Sequence, residues 1–514
     1  MKENVSKVYF DYELFINRDV EKELAHDLLT GKESEQRVLE FTGIAGQGKT
    51  ELLKWVYTEA KKKGIFSAYI DFELSEYHRP EIYPILEAIA HHLSLNSHVK
   101  NYFAPFNLVL PDYINAFKKY YLDLWKEPKG ADRTPVNELE EKLIAGFNAG
   151  VKQLLASGKL ALCLDSTDKA YFIATQQFEE QVLQHFTDDP NFILVVAGQQ
   201  RVKWSLRLQK RVNLHQLERF GYEDTRLLVD RLSEKKKFDI EDRDELYKKI
   251  WELTLGHPFG SYKFLDIISE GFRNSLKKEI VRTLYPRCID SLIENVVKGR
   301  ILANLDLGPV YPPAEKILFY IAPLRRIEFG TLWFMLSTFL EKFKGKSFLF
   351  FEELLGEFQN QTYVFSPWRL GEGFEMDEVT RSILLSDLRI NHPEHFLEIQ
   401  EILACQYDIW VSQTRDASQV KNIVEKLYHQ TLLLKEIESD DIDAHIQKEL
   451  EHYLDRYFTT EFLQSEVQMH EQLGRLSKAL KGDKELSEMI DVSGLSDIIG
   501  NRMKEIQNRK RRNV

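Results

Sequence analysis

The chain is poor in cysteine. Its 514 residues contain three, Cys163, Cys288 and Cys405, far apart and without a C-x-x-C pair. That spacing excludes a disulfide framework and a cysteine zinc site, and it predicts a reducing compartment, the cytoplasm. Long hydrophobic runs are missing too. None approaches the ~18 residues that a membrane helix needs, and the opening stretch "MKENVSKVYFDYELF" has no apolar signal core. Positive charge is in deficit: 69 Lys and Arg against 81 Asp and Glu give a net charge of −12. This balance disfavours nucleic-acid binding by phosphate neutralisation, and the basic tail "NRKRRN" reads as a solvated terminus. No H-E-x-x-H, G-x-S-x-G or Cys/His protease signature occurs. His91-His92, and the His392/His395 pair in "HPEH", lack a third ligand for a metal. What the chain does have is core material, with 43% hydrophobic and 12% aromatic residues. At ~100–200 residues per domain, the length predicts three or four domains.

Residues 41–52 read "FTGIAGQGKTEL". Glycine weakens strands and their flanks, because it costs backbone entropy and packs nothing. Gly43 to Thr50 match G-x-x-x-x-G-K-[ST], the phosphate-binding loop. The flanks agree. "RVLEFTG" is a short apolar strand, and "TELLKWVYTEAKKKG" has helical periodicity. Here the glycines let backbone N–H groups curl around phosphate oxygens, and the new helix points its positive end at the same anion. Lys49 is expected to reach the outer phosphates and Thr50 to offer its hydroxyl to Mg²⁺. The candidate nucleotide set is therefore Gly43, Gly46, Gln47, Gly48, Lys49, Thr50 and the adjoining Glu51.

Strands and helices alternate to about residue 215. "FSAYIDFEL", "KLALCLD" and "NFILVVAG" read as further strands. "EIYPILEAIAHHLSL" reads as an amphipathic helix, and "NYFAPFNLVL" and "KEPKGADRTPVN" as the edges of an insertion. The alternation predicts an α/β domain with a parallel sheet over 1–215. A helical lid is expected over 216–305, its second helix, "EDRDELYKKIWELTLG", closing on Gly256. Over 306–388, three short helices precede "TYVFSPWRLGEGFEMDE", two strands around a turn, which describes a winged helix. Few Lys or Arg face out from its helices, so it reads as a packing module. Residues 389–514 are expected to form an all-α domain that senses or binds a partner.

A phosphate loop needs a carboxylate for its metal, and one is expected at the end of an apolar strand beside the loop strand. "ALCLDSTD" supplies Asp165, with Asp168 three positions on. Asp168 either orients a water or caps a turn. "ILVVAGQQR" brings Gln199 and Arg201 to the carboxyl edge of the sheet, where an arginine can sense a terminal phosphate.

Taken in order, "LFINRDVEKEL", the phosphate loop, "LALCLDSTD", "VVAGQQR", "LTLGHPFG" and the winged helix resemble the STAND class of P-loop ATPases. These are AAA+-related switches that include NACHT and NB-ARC proteins. The resemblance covers roughly residues 10–390. It implies that the stretch around Arg18 helps hold the adenine, with Asn17 standing where the family has glycine. It also implies that Pro258, in Gly256-His257-Pro258, lies against the base; taken alone, such a proline is an ordinary helix stop. The chain departs from the family in two places. Ser166 and Lys169 stand where many members carry acids, so no general base is visible and turnover is expected to be slow. Met376-Asp377-Glu378 stands where NB-ARC proteins carry Met-His-Asp, and an aspartate there would repel the ADP phosphate.

The resemblance implies an ATP/ADP-dependent switch using Mg²⁺. No effector or membrane segment is visible, so output is expected through a separately encoded protein, or by homo-oligomer assembly on activation, in signalling or defence. One rival, a DNA-associated AAA+ ATPase of the origin-recognition or transposition type, shares the loop, lid and winged helix; the other is a non-hydrolysing nucleotide-bound adaptor.

Overall fold

The computed structural model describes residues 10–31, 36–74, 81–96, 98–126, 132–170, 176–237, 243–273, 280–303, 305–362, 364–367, 373–459, 463 and 465–512. The chain forms two compact units. The first comprises residues 1–306, 353–366 and 377–383; the second comprises 307–352, 367–376 and 384–514.

The first unit is built on strands β1 (Val38–Thr42), β2 (Phe66–Asp71), β3 (Leu160–Asp165), β4 (Phe192–Gly198) and β5 (Val212–Gln216). They form one parallel sheet in the order β2-β3-β4-β1-β5. Strands β3 and β4 are buried along their whole length. Their continuous apolar runs are what a parallel sheet covered on both faces requires.

Helices α1 (Asp19–Thr30) and α2 (Lys49–Lys62) cover one face. Leu52, Leu53 and Val56 of α2 pack there with Phe41, Cys163 and Val195 of the sheet. The other face is covered by α3 (Tyr83–Ser94), α4 (Ala104–Lys126) and α5 (Thr134–Ser157), with Ile89, Phe106 and Phe147 at its centre. Short helices α6 (Gln176–Gln181) and α7 (Leu206–Gln209) precede β4 and β5. Helices α8 (Tyr222–Lys236), α9 (Arg243–Thr254), α10 (Pro258–Arg273) and α11 (Ile280–Leu292) follow the sheet, and a π-helical stretch runs over Ile293–Ile301.

Past residue 306 the described chain is helical apart from short strands; residues 353–366 and 377–383 of this stretch belong to the first unit and the rest to the second. The chain continues through α12 (Ala314–Ile321), α13 (Phe329–Phe339), α14 (Phe348–Gln361), β6 (Phe365–Pro367), β7 (Phe374–Met376) and α15 (Glu378–Asn391). The turn expected between the last two strands falls on residues 368–372, outside the described residues. Then come α16 (Pro393–Gln413), α17 (Asp416–Glu436), α18 (Ile442–Tyr457), α19 (Glu466–Gly482), α20 (Lys484–Ser487) and α21 (Val492–Arg512). Arg325 ties the second unit together. It donates to Glu425 at 2.8 Å and to Asp483 at 2.6 Å, and its guanidinium lies 3.9 Å from the centre of the Tyr428 ring. Among the described residues no helix is long and apolar enough to cross a membrane.

The α/β fold with a helical remainder is as the sequence predicts, and the structure adds three details. The strand ending at Asp165 is not beside the loop strand, because β4 lies between them. "NYFAPFNLVL", one edge of the expected insertion, runs into the 23-residue helix α4, which carries Pro111 in its interior. Strand β5 was not expected. Its apolar Val212 and Leu214 alternate with Asn213 and His215, as suits an edge strand with β1 on one side only.

Candidate functional site

Strand β1 ends at Thr42, and the next six residues turn the chain into α2. Gly46 and Gly48 take the left-handed φ values of +85° and +89°, which are strained for any residue with a Cβ. A Cβ on Gly46 would also lie 2.5 Å from the His257 ring. Gly48 is the N-cap residue of α2, so the helix begins with Lys49 and its unpaired N–H groups face out of the loop.

The Lys49 side chain folds back over the loop. Its Nζ donates to the carbonyls of Gly43 at 2.7 Å and Ile44 at 2.9 Å. Burial lowers its pKa to about 8, while the carboxylates of Asp168, Asp165 and Glu73 oppose that shift. Among the described residues no carboxylate lies within ion-pair distance of it. A buried ammonium that bonds only neutral carbonyls retains most of its field for an anion.

Asp165 closes β3 and is 1% exposed. Its carboxylate accepts from the Tyr69 hydroxyl at 2.7 Å and from the Ser166 N–H at 2.9 Å. Burial raises its pKa to about 6 against the donors Tyr69 and Thr50, and neighbouring Asp71 raises it further. Asp71 is the register partner of Asp165 across β2 and β3. Asp168 sits in a single 3-10 turn after β3, and one of its oxygens accepts from the Gln199 N–H at 2.7 Å. This bond joins the carboxyl ends of β3 and β4.

Arg18 is buried and left-handed at φ 71°, as is Asn17 at φ 55°. Asparagine tolerates this conformation better than most residues. The Arg18 guanidinium donates to the carbonyls of Gln47 and Glu218, each at 2.8 Å, and lies 5.1 Å from the centre of the Phe220 ring. Burial lowers its pKa against the attraction of Glu21. It braces the loop from behind. Glu51 accepts from Lys54 at 2.8 Å.

These groups surround one cavity of about 2240 Å³. Its wall includes Arg18, Gly46 through Glu51, Asp165, Asp168 and Pro258. Gly43 lies just behind, as the carbonyl partner of Lys49. Arg201 is exposed and is not part of this wall, whereas Gln199 is. Pro258 corrects the reading of a helix stop: it opens α10. Proline suits the first turn, because its missing N–H would have no partner there. Asp377 accepts from the N–H and hydroxyl of Thr380, and so caps α15.

Sequence reasoning missed four residues here. Asp71 and Glu73 line the cavity, as does Tyr69. The signal for the two acids was present, since "FSAYIDFEL" ends an apolar strand on carboxylates as "ALCLD" does. The fourth, His257, is fully buried. In the sequence it is only the middle residue of a Gly-x-Pro triplet.

The phosphate-loop pattern, the five-stranded parallel sheet and the buried acid that ends β3, two strands from the loop strand, define an α/β domain of the P-loop type. No protein-family model matches the chain, and no curated protein is significantly similar in sequence. Solved structures with a similar course include the RuvB Holliday junction branch migration motor of Thermotoga maritima (14% identity, TM-score 0.36), with 71% of this chain and 93% of that one covered. AMPPCP-bound DnaA from Aquifex aeolicus follows at 15% identity and TM-score 0.34, with 67% and 96% covered. The Orc1 protein of Aeropyrum pernix in complex with DNA matches at 15% identity and TM-score 0.35, with 76% and 97% covered. Likeness at this level transfers no activity, substrate or partner to the present chain.

Proposed function

We propose that this protein is an ATP-binding switch of the STAND type that hydrolyses ATP slowly and acts through a separately encoded protein partner. The observation that carries the reading is Lys49: an ammonium 8% exposed, held over the loop by two carbonyls, in a cavity it shares with Asp165. A polyphosphate satisfies that cation, and the loop N–H groups with it. The cavity exceeds the ~300–1,000 Å³ of ordinary small-molecule sites, so a nucleoside triphosphate has room.

The donor set also fits magnesium. Thr50 and Asp165 would hold the ion, and among the described residues no cluster of three or more His, Cys, Asp or Glu forms a metal cage. Magnesium characteristically takes one or two protein ligands and completes its shell with phosphates and water. When bound, it neutralises charge on the phosphates. Lys49 grips the phosphate chain, Asp168 fixes the Gln199 end of β4 beside it, and Arg18 keeps the loop from shifting.

ATP-driven switching needs contact between the loop and the lid helices. Phe259 N–H donates to the Gly46 carbonyl at 3.2 Å, so α10 is bonded directly to the loop. The differential affinity of open and closed states for ATP and ADP then sets the population of each.

Single-turnover hydrolysis of ATP with and without Mg²⁺ tests the reading. Magnesium-dependent conversion to ADP by the wild-type chain is expected. Binding without any conversion over hours would make it a nucleotide-holding adaptor. A salt-sensitive DNA mobility shift would favour the DNA-associated class instead.

A further inference from the structure

The His257 ring has two separate partners. The Gly260 N–H donates to Nδ1 at 3.0 Å, and Nε2 lies 2.7 Å from the Ala45 carbonyl. A ring nitrogen that accepts from a backbone N–H carries no proton. The proton is therefore on Nε2, which donates to Ala45. Complete burial lowers the pKa of the ring and keeps it neutral.

The first bond caps α10. Gly260 lies in the first turn of that helix, where N–H groups have no intrahelical acceptor. The second bond leaves the lid and ends on the phosphate loop. One residue further on, the Phe259 N–H takes the Gly46 carbonyl at 3.2 Å. Two consecutive loop carbonyls are thus held by the start of one lid helix.

A trans peptide points its C=O and the following N–H in opposite directions, and the described chain contains no cis peptide. Drawing the Ala45 carbonyl onto His257 turns the Gly46 N–H away from the lid. Drawing the Gly46 carbonyl onto Phe259 does the same for the Gln47 N–H, whose own bond to Ile44 is long, at 3.4 Å. Ala45, Gly46 and Gln47 all border the cavity. Gly46 is required for this fit, because a Cβ there would strike His257 and Phe259, at 2.5 and 2.9 Å.

We propose that His257 is a positioning residue for polyphosphate: through Ala45 it orients the loop's amide dipoles, so that the lid sets the grip of the loop on phosphate independently of any contact with a base. This rests on the reading of the cavity as a nucleotide site. It makes the link between lid and phosphate a pair of peptide planes, with no charged side chain in the path. When α10 moves away, the two planes lose their anchor and the anion cradle loosens.

The test separates capping from latching. Asparagine is a good N-cap residue, but it is shorter than histidine and does not reach Ala45. His257→Asn is therefore expected to keep the melting temperature of the wild type while releasing the loop. The probes are ATP and inorganic tripolyphosphate, which has neither base nor ribose. Loss of one net hydrogen bond predicts that both bind about three- to tenfold more weakly to the variant. Amide hydrogen exchange in a peptide spanning residues 43–50 is expected to speed up, with α10 unchanged. Should His257→Asn unfold, His257→Ser carries the same test, since serine also caps. Wild-type affinity for tripolyphosphate together with unchanged exchange in the variant would overturn the proposal. A wild-type chain that binds ATP but shows no such variant effect leaves the nucleotide reading standing and removes only the role of His257. A wild-type chain that binds neither probe removes both.

Discussion

The Tyr69 hydroxyl donates to the Asp165 carboxylate across the β2–β3 pair at 2.7 Å. Tyr69 also turns its backbone N–H outward to His92 Nδ1 at 3.3 Å. Strand β2 is an edge of the sheet, so that N–H has no strand to pair with and takes a side chain instead. A single residue thus fixes the acid at the carboxyl end of β3 and seals the sheet against α3. Asp165 is held by Tyr69, Thr50 and the Ser166 N–H.

Under the proposed function, an acid held in this way serves phosphoryl transfer more than binding, and the two can be separated by substitution. Asp165→Asn keeps the size of the side chain and removes its charge. Calorimetry is expected to show ATP affinity within about tenfold of wild type, while single-turnover hydrolysis falls by about a hundredfold or more, the scale of losing charge stabilisation at a reacting phosphate. Unchanged turnover would pass the role to Asp168.

Turnover in the wild type is expected to be slow, well below the ~10 s⁻¹ median of enzymes. The resemblance to STAND ATPases implies that Ser166 and Lys169 stand where acids would activate water, and a general base contributes ~10²–10⁴-fold. A steady-state rate of several per second would contradict this and assign the water to Asp71 or Glu73, the carboxylates of β2 and its exit that line the cavity.

Variants of Pro258 and Arg201 test the two ends of a bound nucleotide separately. Pro258 lines the cavity at the start of α10, and Pro258→Gly adds backbone freedom there. A modest loss of affinity, equal for ATP and ADP, is expected, because both carry the same base. Arg201 is exposed at the end of β4. If it senses the terminal phosphate, Arg201→Ala weakens ATP more than ADP. Titration of both nucleotides against both variants reads this out, and discrimination by Pro258→Gly alone would reverse the two assignments.

His92 sets a pH limit on the β2 edge. Burial lowers its pKa to about 4, against ~6.5 in an unfolded chain. Between those values the unfolded chain binds the extra proton, so stability is full above about pH 6.5 and declines as pH falls towards 4. Apparent melting temperatures at pH 7.5 and pH 5 are expected to show that fall. His92→Gln, which keeps an acceptor for the Tyr69 N–H, is expected to reduce it. An identical slope in the variant would remove His92 as the cause.

Much of this site could be read in the linear chain because its parts are local. The loop from Gly43 to Thr50 lies within eight residues and carries its own strand and helix. Asp165 ends an unbroken apolar run. Strand β5 escaped because an edge strand needs few apolar residues, and its neighbour β1 is distant in sequence. The bond between His257 and Ala45 spans 212 residues. No spacing rule reaches that far, and a histidine between glycine and proline gives no sign of its acceptor. The place of β4 between β1 and β3 is likewise a matter of long-range pairing, not of local pattern.

The central claim is that Lys49 holds the phosphates of a nucleotide. Calorimetric titration of ATP with Mg²⁺ into the wild type and Lys49→Ala tests it most directly. Lys49 is the loop's side-chain cation, and a charge-assisted bond of this kind is worth ~1.5–3 kcal/mol. The account predicts measurable binding to the wild type, reduced about ten- to a hundredfold or more in the variant. Equal affinity in the two proteins would contradict it and place the nucleotide, if one binds at all, away from the loop.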